Sequence, residues 1–399
     1  MSSSHHQTKE INIDKSFQRL SESEIQLENS FGVDVKIFAN ESVPIENTAV
    51  EELHEMLELQ ATIEEFNQRQ PESFPESPGI LSVAITPDFH KARGIPVGTT
   101  LQTRGCIIPQ AIGNDINCGM RLHLTDLDAA DVENNADLVE ATLRNIFFEG
   151  GRRIPMTWDH RHALLTNGVK GLADVTQSGF DEGSWSYFHR LDWDTELSRI
   201  DRSGSIAATE IEAPKDLLGD KDNLSRDSQI GSIGGGNHFV EIQKVEKVIN
   251  GQTAHAWGLK SGTVTIMVHT GSLSVGQSCG SRYQDLVREI FPADLKHPSN
   301  GIFVLPTGEK HRDTAERFWN GLANAANFAF ANRMFLALMA WESLEKILGE
   351  FNVSLLYDAP HNMLWRENHQ GEETVIHRKG ACPARGYTSM QGTEFEYQK

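Results

Sequence analysis

The chain has 399 residues, enough for one large or two ordinary domains around a substantial buried core. Hydrophobic content of 38% and charged content of 23% describe a soluble globular protein, and no apolar run approaches the ~20 residues that a membrane helix needs. The formal charge of −20 argues against a nucleic-acid binder, because phosphate contacts need basic surface. A cleft can nevertheless carry the opposite local sign, and bound divalent cations add positive charge that the count omits.

The N-terminus, Met-Ser-Ser-Ser-His-His-Gln, has no apolar core of a secretion signal, and His5 and His6 read as part of a polar tail. None of the four cysteines stands in a Cys-x-x-Cys pair, so the chain has no disulfide framework and a reduced, cytoplasmic setting is expected. Cys106, Cys279 and Cys382 read as ordinary buried or half-buried residues. Cys118 stands apart because of its neighbours.

In chain order, residues 1–43 read as a polar N-terminal tail with one short strand at Val33–Phe38, followed by a single domain over 44–399. From Glu46 to Gln68 apolar residues recur at helical spacing (Val50, Leu53, Met56, Leu57, Leu59, Ile63), with glutamates on a solvated face and His54 at the surface. Pro71, Pro75 and Pro78 end that helix. Ile80 to Leu124 reads as strands joined by tight loops, with His123 an outward strand residue. Leu127 to Phe148 is an amphipathic helix opened by Asp and closed by Glu149-Gly150-Gly151. Residues 151–230 read as a peripheral, loop-rich insertion. Strands return at Phe239–Gln243 and Thr263–Val268, Pro292–Arg312 reads as loop, and a long helix runs from about Thr314 to Leu348 before a strand at Val353–Tyr357. The order of elements predicts an α+β fold rather than a regular βαβ wind.

The chemistry concentrates in four short segments. In Gly113-Asn-Asp-Ile-Asn-Cys-Gly-Met-Arg121, Asp115 and Cys118 offer a hard carboxylate and a soft thiolate three residues apart, with glycines that permit a tight turn. His238 follows the Gly234–Gly236 run, whose backbone can pass close to a ligand; Phe239 and Ile242 are expected to face the core. His269 leaves an apolar strand into Thr270-Gly271-Ser272, and His361 follows another strand in Pro360-His361-Asn362. A single histidine so placed is more often a satisfied core residue. Three at strand-to-loop boundaries, with one Asp and one Cys whose thiolate can bridge, fit a dinuclear metal site. Thiolate and imidazole alone would favour zinc. Asn237 and Glu241 flank His238 and suit hydrogen bonds to a purine or ribose.

These segments resemble the RtcB family of RNA-splicing ligases. The resemblance runs from about Gly79 to Arg385 and is carried by Pro87–His90, Gly113–Arg121, Gly234–Glu241, His269–Ser272, Ala326–Arg333, Pro360–Asn362 and Arg378–Ala381. It implies a compact α+β domain with layered mixed sheets. It implies that Asp115, Cys118, His238, His269 and His361 hold two manganese ions with Cys118 bridging. It also implies that Asn237, His238, Glu241, His361 and Asn362 contact GTP. The implied activity joins an RNA 3′-phosphate or 2′,3′-cyclic phosphate end to a 5′-hydroxyl end, in RNA splicing, tRNA processing or repair, with an accessory activating protein a further possible partner. A histidine is guanylated, GMP passes to the 3′-phosphate, and the 5′-hydroxyl attacks to release GMP.

Two departures qualify that expectation. Leu273 stands where the family usually carries an Arg. The family's Gly-Ser-Met-Gly loop and the His-Gly-Ala-Gly segment that holds the guanylated histidine are not found before Lys399. The GTP pocket is therefore expected to be incomplete and no nucleophile is assigned; His369 and His377 read as surface residues. The alternatives are a ligation-deficient protein that binds metal and RNA ends, and a metal-dependent phosphoesterase that opens cyclic phosphates.

Overall fold

The computed structural model describes residues 16–383, apart from 177, 178, 220, 222–224, 227, 228 and 370, so His5 and His6 lie outside the described residues. The fold is α+β and divides into two compact units. Of the described residues, one unit takes in 16–113 together with Tyr283–Ala315 and Leu364–Ala381; the other comprises Asn114–Arg282, Glu316–Met363 and 382–383. Among the described residues no helix is long and apolar enough to cross a membrane.

The first unit is built on a seven-stranded sheet in the order Phe17–Arg19, Ile25–Leu27, Asp34–Ile37, Gly79–Arg93, Ile95–Arg104, Glu372–Lys379 and Asn362–His369. The expected strand at 33–38 is Asp34–Ile37, which pairs parallel to Gly79–Arg93, and the stretch ahead of it supplies two further strands. The helical stretch after them is two helices, Asn47–Leu57 and Leu59–Arg69, which bury Val50, Leu53, Leu57, Ile63 and Phe66. Their acidic face is not wholly solvated: Glu52 is buried and accepts the Ala92 amide at 2.7 Å. His54 is half-buried, which lowers its pKa. His377 is a core residue rather than a surface one. Its Nε2 accepts the Ile108 amide at 2.9 Å, and burial pushes its pKa down to about 4. The expected loop at 292–312 includes a short strand, Leu305–Pro306, and a 3-10 turn, Glu309–His311. Cys382 is exposed, whereas Cys106 is buried and Cys279 half-buried.

The second unit carries a four-stranded antiparallel sheet in the order Phe239–Lys244, Thr263–Thr270, Gly119–Asp128, Val353–Pro360. The expected helix from Leu127 begins later, because Leu127 and Asp128 finish the strand; Asp128 then caps the Ala129–Asn134 helix by accepting the Ala130 amide. A second helix, Ala136–Phe148, follows.

The long helix, Arg312–Leu348, is the apolar backbone of this unit. Its alanines (Ala325, Ala326, Ala329, Ala331, Ala337, Ala340) let neighbours approach closely, and Phe328, Phe330 and Phe335 fill the space between. Three buried asparagines interrupt that apolar surface, each with its side-chain amide spent on main-chain groups. Asn327 bonds both the amide and the carbonyl of Ile206, at 2.9 and 2.7 Å. Asn332 does the same for Gly231 N–H and Ser232 C=O, at 2.7 and 3.0 Å. Asn324 donates to Leu165 C=O at 2.8 Å.

The stretch 151–230, read as loop-rich, includes the helical segment Trp158–Val175, two helices joined by a kink at Gly168, and several shorter helices. Trp185 is fully buried, edge-on to Phe335 and stacked on His160. Glu196 forms an ion pair with Arg121, whose side chain is completely buried. Arg121 also donates to Asp358 at 3.1 Å and, through Nε, to His123 Nε2 at 2.8 Å. His123 therefore points inward rather than out.

Asp358 is the single carboxylate shared by Arg121 and Arg333, both fully buried. Asp358→Ala should cost about 3–5 kcal/mol, since it strands buried guanidinium charge. Urea denaturation of the purified variant checks this, and a loss under about 1 kcal/mol, the scale of a surface pair, would contradict it.

Candidate metal centre

Strand register gathers the five predicted donors at one end of the four-stranded sheet. Gly119 opens the central strand directly opposite Thr270 on one neighbour and Pro360 on the other. Because the strands alternate in direction, the residue before one strand lies beside the residue that ends the next. Cys118 thus precedes the central strand, His269 nearly ends its neighbour opposite Met120, and His361 follows the other neighbour. His238 precedes the edge strand, where Phe239 pairs with His269. The loop itself is tied down by backbone: Cys118 C=O accepts the amides of His361 and Asn362 at 2.8 and 3.2 Å, and the Asn117 amide donates to Asn362 C=O at 2.7 Å.

Two donor triads result, and they share one sulfur. Asp115, Cys118 and His238 form the first; Cys118, His269 and His361 the second, with all donor atoms in each triad within 4.8 Å of one another. Cys118 Sγ lies 3.3 Å from His238 Nε2 and 3.2 Å from His269 Nε2. Asp115 Oδ2 is 2.7 Å from His238 Nε2, and the Nε2 atoms of His269 and His361 are 3.2 Å apart. His269 Nδ1 faces the Asn237 carbonyl at 3.0 Å; a proton there leaves the Nε2 lone pair pointing into the cluster. Such outer partners are the usual means of orienting a histidine ligand.

The chemistry of the set fits divalent ions. Asp115 Oδ1 is buried and has no hydrogen-bond partner among the described residues, as expected of an oxygen reserved for a cation. Space for that carboxylate depends on Gly271, where a Cβ would fall 2.7 Å from the Asp115 carboxyl carbon. Gly119 is equally constrained, since a Cβ there would lie 2.8 Å from Pro360 Cα. Burial holds His269 and His361 below the ordinary histidine pKa, His361 down to about 4, so both imidazoles are neutral at pH 7. Burial alone would raise Asp115, but its hydrogen bonds to His238 and Cys118 outweigh it and leave the carboxyl below its usual range. Burial, followed by the neighbouring Asp115 charge, pushes the Cys118 thiol well up.

Of the residues expected to contact nucleotide, His238 and His361 lie within the cluster, and Asn362 enters it through its backbone. Asn237 contributes its carbonyl to His269, and Glu241 is exposed, accepting from Gln243 Nε2 at 2.8 Å. Phe239 does not face the core alongside Ile242, because residues of odd and even number in a strand point to opposite faces. Its ring meets His269 edge-on, 5.2 Å between centroids. Two features were not anticipated. Asn117 adopts the left-handed region at φ +57°, a conformation for which Asn is suited and which brings Asp115 and Cys118 round to one side. Leu273, at the position where a basic residue was expected, also has a positive φ, +51°, and opens the Leu273–Ile290 helix.

The site defines an α+β protein whose strand ends present a candidate dinuclear centre of one carboxylate, one shared thiolate and three imidazoles. The chain belongs to the RtcB family: residues 70–399 match the family described as tRNA-splicing ligase RtcB. It is 30% identical to the tRNA-splicing ligase RtcB of Thermococcus kodakarensis over 326 residues, covering 77% of this chain and 63% of that protein. It is 27% identical to the protein of the same name from Nanoarchaeum equitans over 376 residues, 90% of this chain and 72% of that one. The RNA-splicing ligase RtcB homolog 1 of Entamoeba histolytica is 29% identical over 333 residues, 79% and 59% respectively. The chain thus spans less than two thirds of the Thermococcus and Entamoeba relatives.

The Cys118 thiol, held protonated by burial, must lose its proton when an ion binds at neutral pH. Low pH competes with the metal, so affinity should rise about tenfold per pH unit between about pH 6 and 8. Cobalt titration followed by thiolate absorption reads this directly. Cys118→Ala should abolish the thiolate band, and a pH-independent affinity of the unaltered protein would contradict the assignment.

Proposed function

We propose that this chain carries the metal centre of a GTP- and manganese-dependent RNA ligase. Its substrates would be RNA with a 3′-phosphate or 2′,3′-cyclic phosphate end and RNA with a 5′-hydroxyl end, met in the cytoplasm. The observation that carries the reading is the pair of donor triads meeting at Cys118 in a chain of the RtcB family. Zinc remains what the thiolate and imidazoles alone favour; family membership moves the reading to manganese.

Two divalent ions held here would neutralise phosphate charge and polarise phosphoryl oxygens, the main need in phosphoryl transfer. The chain's own residues set where that happens. Asp115 and Cys118 supply two negative charges between them once the thiol is deprotonated, so two divalent ions would retain net positive charge for an anionic ligand. This accounts for a phosphate-binding role in a protein whose overall charge is −20. His269 is oriented by the Asn237 carbonyl, and the exposed Gly234–Gly236 run brings unshielded backbone alongside His238. Asn237, Glu241 and Asn362 would make the nucleotide contacts. No histidine of the sequence is assigned as the guanylated group.

The test incubates the manganese-loaded protein with GTP and RNAs bearing a 2′,3′-cyclic phosphate or 3′-phosphate end and a 5′-hydroxyl end. Sealed product and a GMP adduct in the intact mass are expected, both lost in Cys118→Ala. Manganese binding with neither sealing nor adduct would overturn the ligase reading in favour of the ligation-deficient metal- and RNA-end-binding one.

A further inference from the structure

Arg333 is a full positive charge with no exposed side-chain surface, set beside Asn332 in a largely apolar stretch of the long helix. Burying a guanidinium is costly unless every donor finds an acceptor, so its partners indicate what the charge is for. Nη1 donates to Asn117 C=O at 2.6 Å and to Thr270 C=O at 3.1 Å. Nη2 donates to Asn117 Oδ1 at 3.3 Å, and Nε to Asp358 Oδ1 at 2.8 Å. The partners are not scattered. Asn117 lies between Asp115 and Cys118, Thr270 follows His269, and Asp358 is three residues before His361.

We infer that Arg333 is the positioning residue of the metal centre, one guanidinium fork that fixes together the three segments bearing Asp115, Cys118, His269 and His361. The inference rests on the reading of this cluster as a metal site. Asn117 is the most tightly held of the partners: its side-chain amide also donates to Ala326 C=O at 2.6 Å, about two helical turns before Arg333. The turn that aims Asp115 and Cys118 is therefore held at both the backbone and the side chain of its left-handed residue. His238 is reached at one remove, through Thr270, whose hydroxyl donates to Ile233 C=O at 2.7 Å and lies 3.5 Å from His238 Nδ1. Lysine would keep the charge beside Asp358 but cannot span four acceptors on three segments in fixed directions.

A purely structural role predicts loss of stability alone; a positioning role predicts that the folded protein binds metal worse. Arg333→Lys should weaken cobalt and manganese binding roughly 10–100-fold, the range for lost outer contacts to metal ligands, and alter the thiolate-to-cobalt absorption. Glu196→Gln is the control. It disturbs the same buried charge network through Arg121 but bonds none of Asn117, Thr270 and Asp358, so it should lower the unfolding midpoint while leaving cobalt affinity and spectrum unchanged. Should Arg333→Lys not fold, Asn117→Gly keeps the left-handed backbone, removes both side-chain bonds, and is expected to weaken binding in the same direction.

A folded Arg333→Lys that binds cobalt with the affinity and spectrum of the unaltered protein overturns the inference; so does an unchanged Asn117→Gly where the lysine variant does not fold. Glu196→Gln weakening binding as much as Arg333→Lys overturns it too, since the effect would then follow stability alone. Failure of the unaltered protein to bind either metal overturns the metal-site reading itself, and the inference with it.

Discussion

The sulfur of Cys118 sits between two imidazole nitrogens at 3.2 and 3.3 Å, and most of what surrounds it follows from that crowding. Three nitrogen lone pairs, a carboxylate and a sulfur converge where water is largely excluded, an arrangement that is unfavourable by itself and becomes favourable around cations. The pKa directions express the same tension: burial keeps His269 and His361 neutral and the thiol protonated, while the Asp115 carboxyl is held ionised by its hydrogen bonds. The sheet resolves the geometric half of the problem. Antiparallel pairing brings the starts of two strands and the ends of the other two to one end of the sheet, so donors far apart in sequence need no long loops to meet.

Holding such a cluster needs a rigid support, and here polar side chains on an apolar helix provide it. Asn327 and Asn332 fasten the loops at Ile206 and Gly231–Ser232, the latter just ahead of the glycine run that leads to His238. Asp358 binds Arg121 and Arg333 at once, which joins the strand that begins beside Cys118 to the strand that ends beside His361. Each of these groups would be expensive to bury alone. Paired, they trade that expense for a defined geometry.

The donors were legible in the sequence because a histidine at a strand-to-loop boundary, repeated three times, is an uncommon pattern, and the strands themselves alternate cleanly. The α+β class, the long helix and the four strands of the second unit were likewise readable from periodicity. What failed did so for physical reasons. The strands Phe17–Arg19 and Ile25–Leu27 are three residues each, too short to display alternation; they pair with each other, and the second also pairs with the anticipated strand at Asp34–Ile37. Apolar spacing continues from one helix into the next across Glu58, whose helical φ and ψ give no breaker signal. Glu52, His123 and His377 looked like surface groups because each is polar; the partners that permit their burial, Ala92, Arg121 and Ile108, cannot be seen from local sequence. The region 151–230 hid its core behind glycines, among them Gly168, whose φ of +61° sits inside the Trp158–Val175 helix. Arg333 and the asparagines near it were visible only as polar residues in an apolar helix, a pattern that says something is bonded there but not what.

The central claim is that two ions share Cys118. Crystals grown with manganese and measured at its absorption edge test it most directly. The account predicts two anomalous peaks that both contact Cys118 Sγ, one completed by Asp115 and His238 and the other by His269 and His361. A single peak, or two that do not share the sulfur, would contradict it.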